Sequence, residues 1–457
     1  MTALWTSAAI ADATGGAASA PFDVSGVTFD SREVGSGDLF IALPGGSHDG
    51  HTFLDQAFER GASGALVTQP SQYPNIQVID AFAGLDALAR AARARCTAKI
   101  IGVTGSAGKT GTKEALFAAL DRSPSKSAHR SVKSYNNHTG VPLSLARMPA
   151  GTDFGVFEMG MNHPGELAHL TTLVRPHVAI VTTIAPAHAE FFPDESAIAD
   201  AKGEIFLGLE PGGVAIVPND SPHRDRLIAA AKPYAATVIT FGTGEQADVR
   251  ALETVRTRNG GTFVTARVGE RELSYTVSQP GQHWVTNSLA VLAAVDAAGG
   301  DLALAGLALA ELGGLAGRGQ RFDVKVGNGA ALIIDESYNA NPASMRATLA
   351  VLASEPAKRK IVMLGEMREL GDSSQRYHAD LAGPVCDAGV QLAILVGESM
   401  APLAEALEGR IDFVHVPDAA AARDRLMAVL APGDAVLIKG SNGVGLSAVV
   451  AALAGKS

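Results

Sequence analysis

Seven residues, Thr104-Gly-Ser-Ala-Gly-Lys-Thr110, constrain this chain more than any other stretch, because an apolar run from Ile100 to Val103 precedes them and the helical segment TGTKEALFAAL follows. Strand, glycine-rich turn and helix in that order aim successive backbone N–H groups, and the positive end of the helix, at an anion. Lys109 is then placed to neutralise terminal phosphates and Thr110 to ligate Mg2+. The eight-residue form of this motif needs glycine where Val103 stands, so the chain carries the shorter GxxGKT form. Such a loop belongs at the C-terminal edge of a parallel sheet, and that sets the expected fold class.

The flanking sequence agrees. From about Ala98, the apolar runs KIIGVTG, DFGVFEMG, VAIVTT and VAIVP alternate with helical segments, the pattern of a parallel sheet covered on both faces. Between Ala247 and Val277 the alternation becomes two-residue, with Asn259-Gly260-Gly261 as a turn, which predicts a small antiparallel appendage. Gly313 to Gly319 reads as an interdomain hinge. After Phe322 the runs ALIID, KIVMLG, LAILVG, FVHV and DAVLIKG repeat the strand-helix rhythm as a second doubly wound sheet. Ahead of all this, a short N-terminal helix, strand-like runs (Val24 to Phe29, Asp38 to Leu43, Gly64 to Val67) and a helix from Thr52 to Arg60 with Phe53, Ala57 and Phe58 on one face form a smaller unit. The basic, Ala-rich LDALARAARAR connects it to the next.

At about 150 residues per domain, 457 residues leave room for three. The expectation is an α/β protein of three domains. Residues 1–83 form a small N-terminal α/β domain, 84–316 a central P-loop-type parallel sheet with helices on both faces, and 317–457 a C-terminal Rossmann-like domain. With 47% hydrophobic and 18% charged residues the chain can bury such cores, and its two cysteines, Cys96 and Cys386, lie outside any C-x-x-C pair, so neither a disulfide framework nor a cysteine-zinc site is expected. The net charge of −10 disfavours non-specific binding to nucleic acid or an anionic membrane, so any anionic ligand must be held by a local site. No Lys or Arg precedes Arg32 and no apolar run reaches the ~20 residues of a membrane span; a cytoplasmic monomer is expected.

Several residues stand where chemistry would need them. Glu158, in FGVFEMGMN, ends a strand beside the loop, where a carboxylate either binds Mg2+ or is simply solvated. His188, in IAPAHAEFF, follows VAIVTT on the same edge, as a metal ligand or a structural histidine. Lys202 lies in the helix ESAIADAKGEIFLGL, where an exposed lysine is the plainer reading. Asn136-Asn137 in SYNNHTGVPL and the segment GQHWVTNSLAVLAA carry polar groups that serve as helix caps or as contacts. Asp335, opening DESYNANP at a strand end, suits a ribose hydroxyl, although no G-x-G-x-x-G accompanies it. Lys439, after DAVLI, can present a cation to a carboxylate or phosphate, and Arg32 offers a fork suited to a diphosphate or to a surface salt bridge.

Together these stretches resemble the Mur ligase family over the whole chain: DSR and DGH in the first part, TGSAGKT, YNNHTGVPL, FEMGMN, the His188 and Lys202 region and HWVTN in the second, then GRGQRF, DESYNANP, LGEMRELG and LIKGS in the third. DESYNANP followed by LGEMRELG discriminates most, and the DNPR-type motif of the branch that adds the third peptide residue is absent. The resemblance implies an ATP- and Mg2+-dependent ligase of peptidoglycan precursor synthesis. In it, ATP would phosphorylate the terminal carboxylate of UDP-N-acetylmuramoyl-tripeptide and the amine of D-alanyl-D-alanine would attack the acyl phosphate.

Carried over by position, Gly105, Ser106, Ala107, Gly108, Lys109, Thr110 and Gly111 would bind ATP, and Thr110, Glu158 and His188 would serve magnesium. Lys202 resembles the lysine that is carbamylated in these ligases, which would make it a metal-binding anion. His283 and Asn287 match the adenine-contacting segment, Asp335 the ribose contact, and Arg318 the arginine that reaches the reacting phosphates. Lys109, Lys202, His188 and Arg318 would form the catalytic set. Ser31 and Arg32 resemble UDP-binding positions, and Asn137, Asn339 and Asn341 positions that contact substrate. Asn442 follows KGS where relatives often carry Arg, a departure at a substrate contact. Two alternatives stay open: a ligase with another amine, such as glutamate or a diamino acid, and a P-loop switch or scaffold without ligase activity.

Overall fold

A computed structural model describes residues 3–46, 48–258 and 260–455; the expected turn residue Asn259 and Ser47 of the GGSHDGH run lie outside the described residues. Among the described residues, nine strands form the central sheet. In spatial order they are Arg271–Val277, Thr262–Val268, Val249–Arg256, Thr237–Gly242, Val214–Pro218, Val178–Val181, Lys99–Thr104, Phe154–Glu158 and Ala128–Arg130. The strand Lys99–Thr104 lies inside, parallel to Phe154–Glu158 on one side and Val178–Val181 on the other. Alternate residues of this strand face opposite layers, which is why the whole run is apolar. Ile101 and Val103 pack with Leu116, Leu289 and Leu292, while Ile100 packs with Leu167, Leu170 and Leu227.

The antiparallel segment is not an appendage. Val249–Arg256 pairs in parallel with Thr237–Gly242 through Phe241 and Val249, so the hairpin strands continue the main sheet. Its inward residues Val264, Ala266 and Val268 need cover, and the helices Gln282–Ala297 and Leu302–Glu311 supply it.

In the first domain, five strands run in the order Ala17–Ala18, Asn75–Gln77, Gly64–Val67, Asp38–Ile41, Gly26–Thr28. The helix expected from Thr52 to Arg60 is shorter: a 3-10 turn, Gly50–Phe53, capped by the Asp49 carboxylate, precedes a helix over Leu54–Glu59. That break turns Phe53 outward, whereas Ala57 is buried. Position 84 falls inside the helix Ala81–Arg95, which is a shared wall rather than a linker. Leu85, Leu88 and Ala92 pack with Leu39 and Leu66 of the first sheet and with Leu143 and Ala146 of the central domain. Arg93, buried, donates to the carbonyls of Val174 and Arg175 at 2.9 Å each. Arg95 stacks 3.6 Å over Trp5, whose indole N–H donates to Ala146.

The third sheet has the order Gln320–Val326, Gly329–Glu336, Asp434–Lys439, Arg359–Gly365, Leu392–Val396, Asp412–Val416, parallel except for its first pair. The first strand, QRFDVKV, alternates polar and apolar residues as an edge strand does. Its lead-in, the expected hinge, is pinned: the Gly317 N–H donates to the Asp335 carboxylate at 2.7 Å.

Candidate functional site

The loop after Lys99–Thr104 is seated by hydrogen bonds on the segment that follows the neighbouring strand Val178–Val181. Ser106 Oγ donates to the Ala185 carbonyl at 2.8 Å and the Ser106 N–H donates to Thr183 O at 2.7 Å. Gly105 has φ +147°, and a Cβ there would stand 2.0 Å from Thr182 Oγ1, so no larger residue keeps this approach. Lys109 folds back so that its ammonium donates to Gly105 O at 2.7 Å. Burial lowers its affinity for a proton, Glu158 opposes that shift and Arg318 adds to it. Below the loop, Thr110 Oγ1 donates to Glu158 Oε2 at 2.9 Å. Glu158 is fully buried, and its other oxygen accepts from Asn136 Nδ2 at 2.7 Å.

These groups open into a cavity of about 380 Å3 between the central and third domains. Ser106 to Lys109, Gly111, Glu158, His188, His283 and Asn287 line it from the central domain. Arg318, Glu336, Asn339, Asn341 and Lys439 line it from the other side. Arg318 stacks 4.2 Å over the Tyr338 ring and donates to Ser134 Oγ at 3.2 Å. Asn341 caps the helix Pro342–Ala353 by accepting from Ser344 N at 2.8 Å, while its Nδ2 donates to Ser106 O at 3.1 Å, so the third domain touches the loop itself. Lys439, buried, donates to Asn339 O at 2.8 Å with Glu336 Oε2 3.6 Å away.

His188 holds a left-handed backbone, φ +59°, and its Nδ1 lies 2.5 Å from Glu369 of the third domain, leaving Nε2 for the cavity. Burial makes it harder to protonate, and the charges of Lys109 and Lys202 act in the same direction. Lys202 is not an exposed helical lysine: it is 1% exposed. Burial holds its ammonium well below the usual lysine range, with Lys109 adding to the effect.

His283 is pushed down to about 4 by burial, with the Lys439 charge assisting, so it meets a ligand as a neutral ring. Its folded value lies below the unfolded 6.5, so the stability it contributes is complete above pH 6.5 and is lost as pH falls toward 4, about 3 kcal/mol at the acid end. His283→Gln is expected to flatten the fall in urea-unfolding stability between pH 6.5 and 4. An unchanged slope would assign that limb to other groups.

Two of the expected residues stand beside the cavity rather than on its wall, and two more lie away from it. Asp335 does not reach the cavity: it is buried and holds Gly317 N, Ser337 N and Ser337 Oγ, whereas Glu336, on the opposite face of the strand, lines the cavity. Asn137 is exposed and its Oδ1 accepts from the Thr139 and Gly140 N–H groups in the turn that leads into the helix Gly140–Ala146; its neighbour Asn136 meets Glu158. Ser31 and Arg32 stand apart from the cavity. Ser31 donates to Gln56 at 2.7 Å, and Arg32, with its side chain 81% exposed, pairs with Asp30. Their turn connects to the site through Glu33, which pairs with Lys133 in the loop that also carries Ser134 and Asn136.

Lys113 was missed. It is fully buried one helical turn after Thr110, bonded to Ser131 O at 3.1 Å and 3.8 Å from Glu158. The three-residue spacing was a usable signal, because it puts both side chains on one helix face. Glu369 had no such signal, since its partner lies 181 residues earlier.

A phosphate-binding loop that closes against a second α/β domain across a cation-lined cavity defines a nucleotide-dependent enzyme whose ligands meet between domains. Family comparisons specify it further. Residues 23–109 match the model of the Mur ligase family catalytic domain, 103–295 the Mur ligase middle domain, and 320–442 the Mur ligase glutamate ligase domain. The UDP-N-acetylmuramoyl-tripeptide--D-alanyl-D-alanine ligase of Rickettsia prowazekii is 31% identical over 98% of this chain and 99% of its own length. The enzyme of that name from Escherichia coli is 33% identical over 95% and 94%. A crystal structure of MurF from Acinetobacter baumannii superposes with a TM-score of 0.85 at 30% identity, covering 98% of both chains, and MurF from Thermotoga maritima in complex with ADP gives 0.77 at 26% identity, covering 95% of this chain and 98% of that one. The chain belongs to the Mur ligase family. Among the described residues, no helix is long and apolar enough to cross a membrane.

Proposed function

We propose that this chain is the ATP-dependent ligase that joins D-alanyl-D-alanine to UDP-N-acetylmuramoyl-tripeptide in peptidoglycan precursor synthesis, acting as a cytoplasmic monomer. The observation that carries the reading is the cavity in which Lys109, Glu158, His188 and Arg318 converge, in a chain that matches ligases of that name over nearly its full length. Amide formation from a free carboxylate is uphill, and phosphorylation by ATP gives the carboxylate a leaving group. The loop N–H groups and Lys109 hold the terminal phosphates, and Arg318, steadied by Tyr338 and Ser134, meets the charge that develops on the transferring group. Asn339, Asn341 and Lys439 face the same space from the third domain, where the incoming dipeptide would lie.

The donors fit magnesium. Thr110 Oγ1 and the Glu158 carboxylate are already in contact, His188 Nε2 is free of Glu369, and the buried Lys202 amine, whose ammonium form burial disfavours, can be carbamylated to an anion. Bound there, the metal would neutralise phosphate charge. Asn136 and Lys113 orient Glu158, and Ser31 and Arg32 remain the candidates for the UDP end.

Substrate-dependent phosphate release tests the reading. UDP-N-acetylmuramoyl-tripeptide with D-alanyl-D-alanine should release phosphate and form the pentapeptide. Activity with glutamate or a diamino acid instead would move the chain to another branch, and ATP hydrolysis indifferent to any UDP-peptide would make it a switch.

A further inference from the structure

Behind the main cavity, Gln279, Pro280, Gly319, Arg321, Glu336 and Val351 border a small recess that shares His283, Trp284, Glu336 and Thr348 with the cavity wall. Gln279 is 93% buried by its 7% exposure, and its Oε1 has no hydrogen-bond donor among the described residues. The amide orientation is fixed by chemistry. Gln279 Nε2 donates to Leu312 O at 2.8 Å, and a carbonyl can only accept, so the oxygen must point the other way. It points at the recess: a methyl group built on Gly319 would stand 3.4 Å from Gln279 Oε1 and 3.6 Å from Glu336 Oε1. Two acceptors, a carboxamide and a carboxylate, therefore border one space that Gly319 keeps open. An acceptor left unpaired at such depth costs free energy, and the recess, of about 10 Å3, has room for one hydroxyl-sized donor. The neutral ring of His283 and the Asn287 amide stand on the central-domain wall, so a base there would carry its sugar toward these oxygens.

We infer that Gln279 is a nucleotide-positioning residue: its Oε1 receives one hydroxyl of the ATP ribose while Glu336 receives the other. This rests on the reading of the cavity as an ATP site and adds a residue that neither spacing nor family motif singled out. Because Gln279 also holds Leu312, near the end of the central domain, and faces Gly319 of the third, the sugar would be held beside the segment that joins them.

The test compares kcat/KM for ATP, 2′-deoxy-ATP and 3′-deoxy-ATP in the full-length protein and in two variants, Gln279→Met and Gln279→Glu. Methionine keeps the size and removes both the acceptor and the Leu312 donor; glutamate keeps an acceptor, removes the donor and adds a negative charge. The wild type should prefer ATP over at least one deoxy analogue by about tenfold or more, Gln279→Met should lose about fivefold or more of that preference, and Gln279→Glu should retain it. If Gln279→Met and Gln279→Glu lose the preference alike, the residue acts through Leu312 and the inference falls. It falls also if the wild type uses all three nucleotides equally, or if Gln279→Met slows them by one common factor. Failure of the parent reading looks different: ATP itself would support no UDP-peptide-dependent turnover in the wild type. Thermal melts of both variants exclude misfolding as the cause of a lost preference.

Discussion

Lys109→Ala is expected to lower substrate-dependent ADP release by about a thousandfold or more. A single neutral donor aimed at developing charge in a closed site is worth roughly 10²–10³ in rate, and Lys109 brings a full charge to the phosphates from the first turn of the helix Lys109–Leu120. Its neighbours cannot replace it. Arg318 comes from the other wall, and Lys113 is committed to Ser131 and Lys133 carbonyls beneath the loop. Lys109→Arg should rescue little, because a planar fork does not retrace the path of an ammonium folded back onto Gly105 O. The variant should fold normally, since burial disfavours the charged lysine in the resting protein. Rates are read by coupled ADP release, with a melting curve as control. Turnover within tenfold of wild type would remove Lys109 from the catalytic set.

What could be read in advance follows from how local each signal is. The strand Lys99–Thr104 and its loop announce themselves because a strand buried on both faces must be continuously apolar and the turn after it must be glycine-rich. Edge elements say less: Gln320–Val326 carries Arg, Asp and Lys on its open face. Neighbouring residues compete for one role, and only backbone geometry decides. Strand alternation sends Asp335 inward to Gly317 and Ser337 and Glu336 to the cavity. The turn before Gly140–Ala146 spends Asn137 on its own backbone N–H groups and gives Asn136 to Glu158. Contacts between domains leave no local trace, so the His188 and Glu369 pair became visible only once the third domain was placed.

Burial of Lys202 is the most consequential fact that periodicity could not supply, and it predicts opposite effects on stability and activity. In the folded protein burial disfavours the Lys202 ammonium and the charge of Lys109 disfavours it further. The unfolded chain regains an ordinary lysine of about 10.4. Between the depressed folded value and 10.4 the unfolded state binds the extra proton, so the penalty on folding grows as pH falls below 10.4 and levels off only below the folded value. Lys202→Met, which fills similar volume without an ionisable group, should therefore raise stability in nucleotide-free, bicarbonate-depleted buffer at pH 7. The gain should be about 1–3 kcal/mol, read as roughly 2–4 °C in melting temperature per kcal/mol for a domain of this size. The same change should cut ligase turnover by about a hundredfold or more, because it removes an amine placed to become an anion beside Lys109 and His188. Bicarbonate separates the two effects: added to the wild type it should raise the melting temperature by converting the buried amine into a charge partner for Lys109, and added to Lys202→Met it should do nothing. A variant that melts lower than wild type in depleted buffer would mean that Lys202 is already compensated, and the carbamate reading would fall with it.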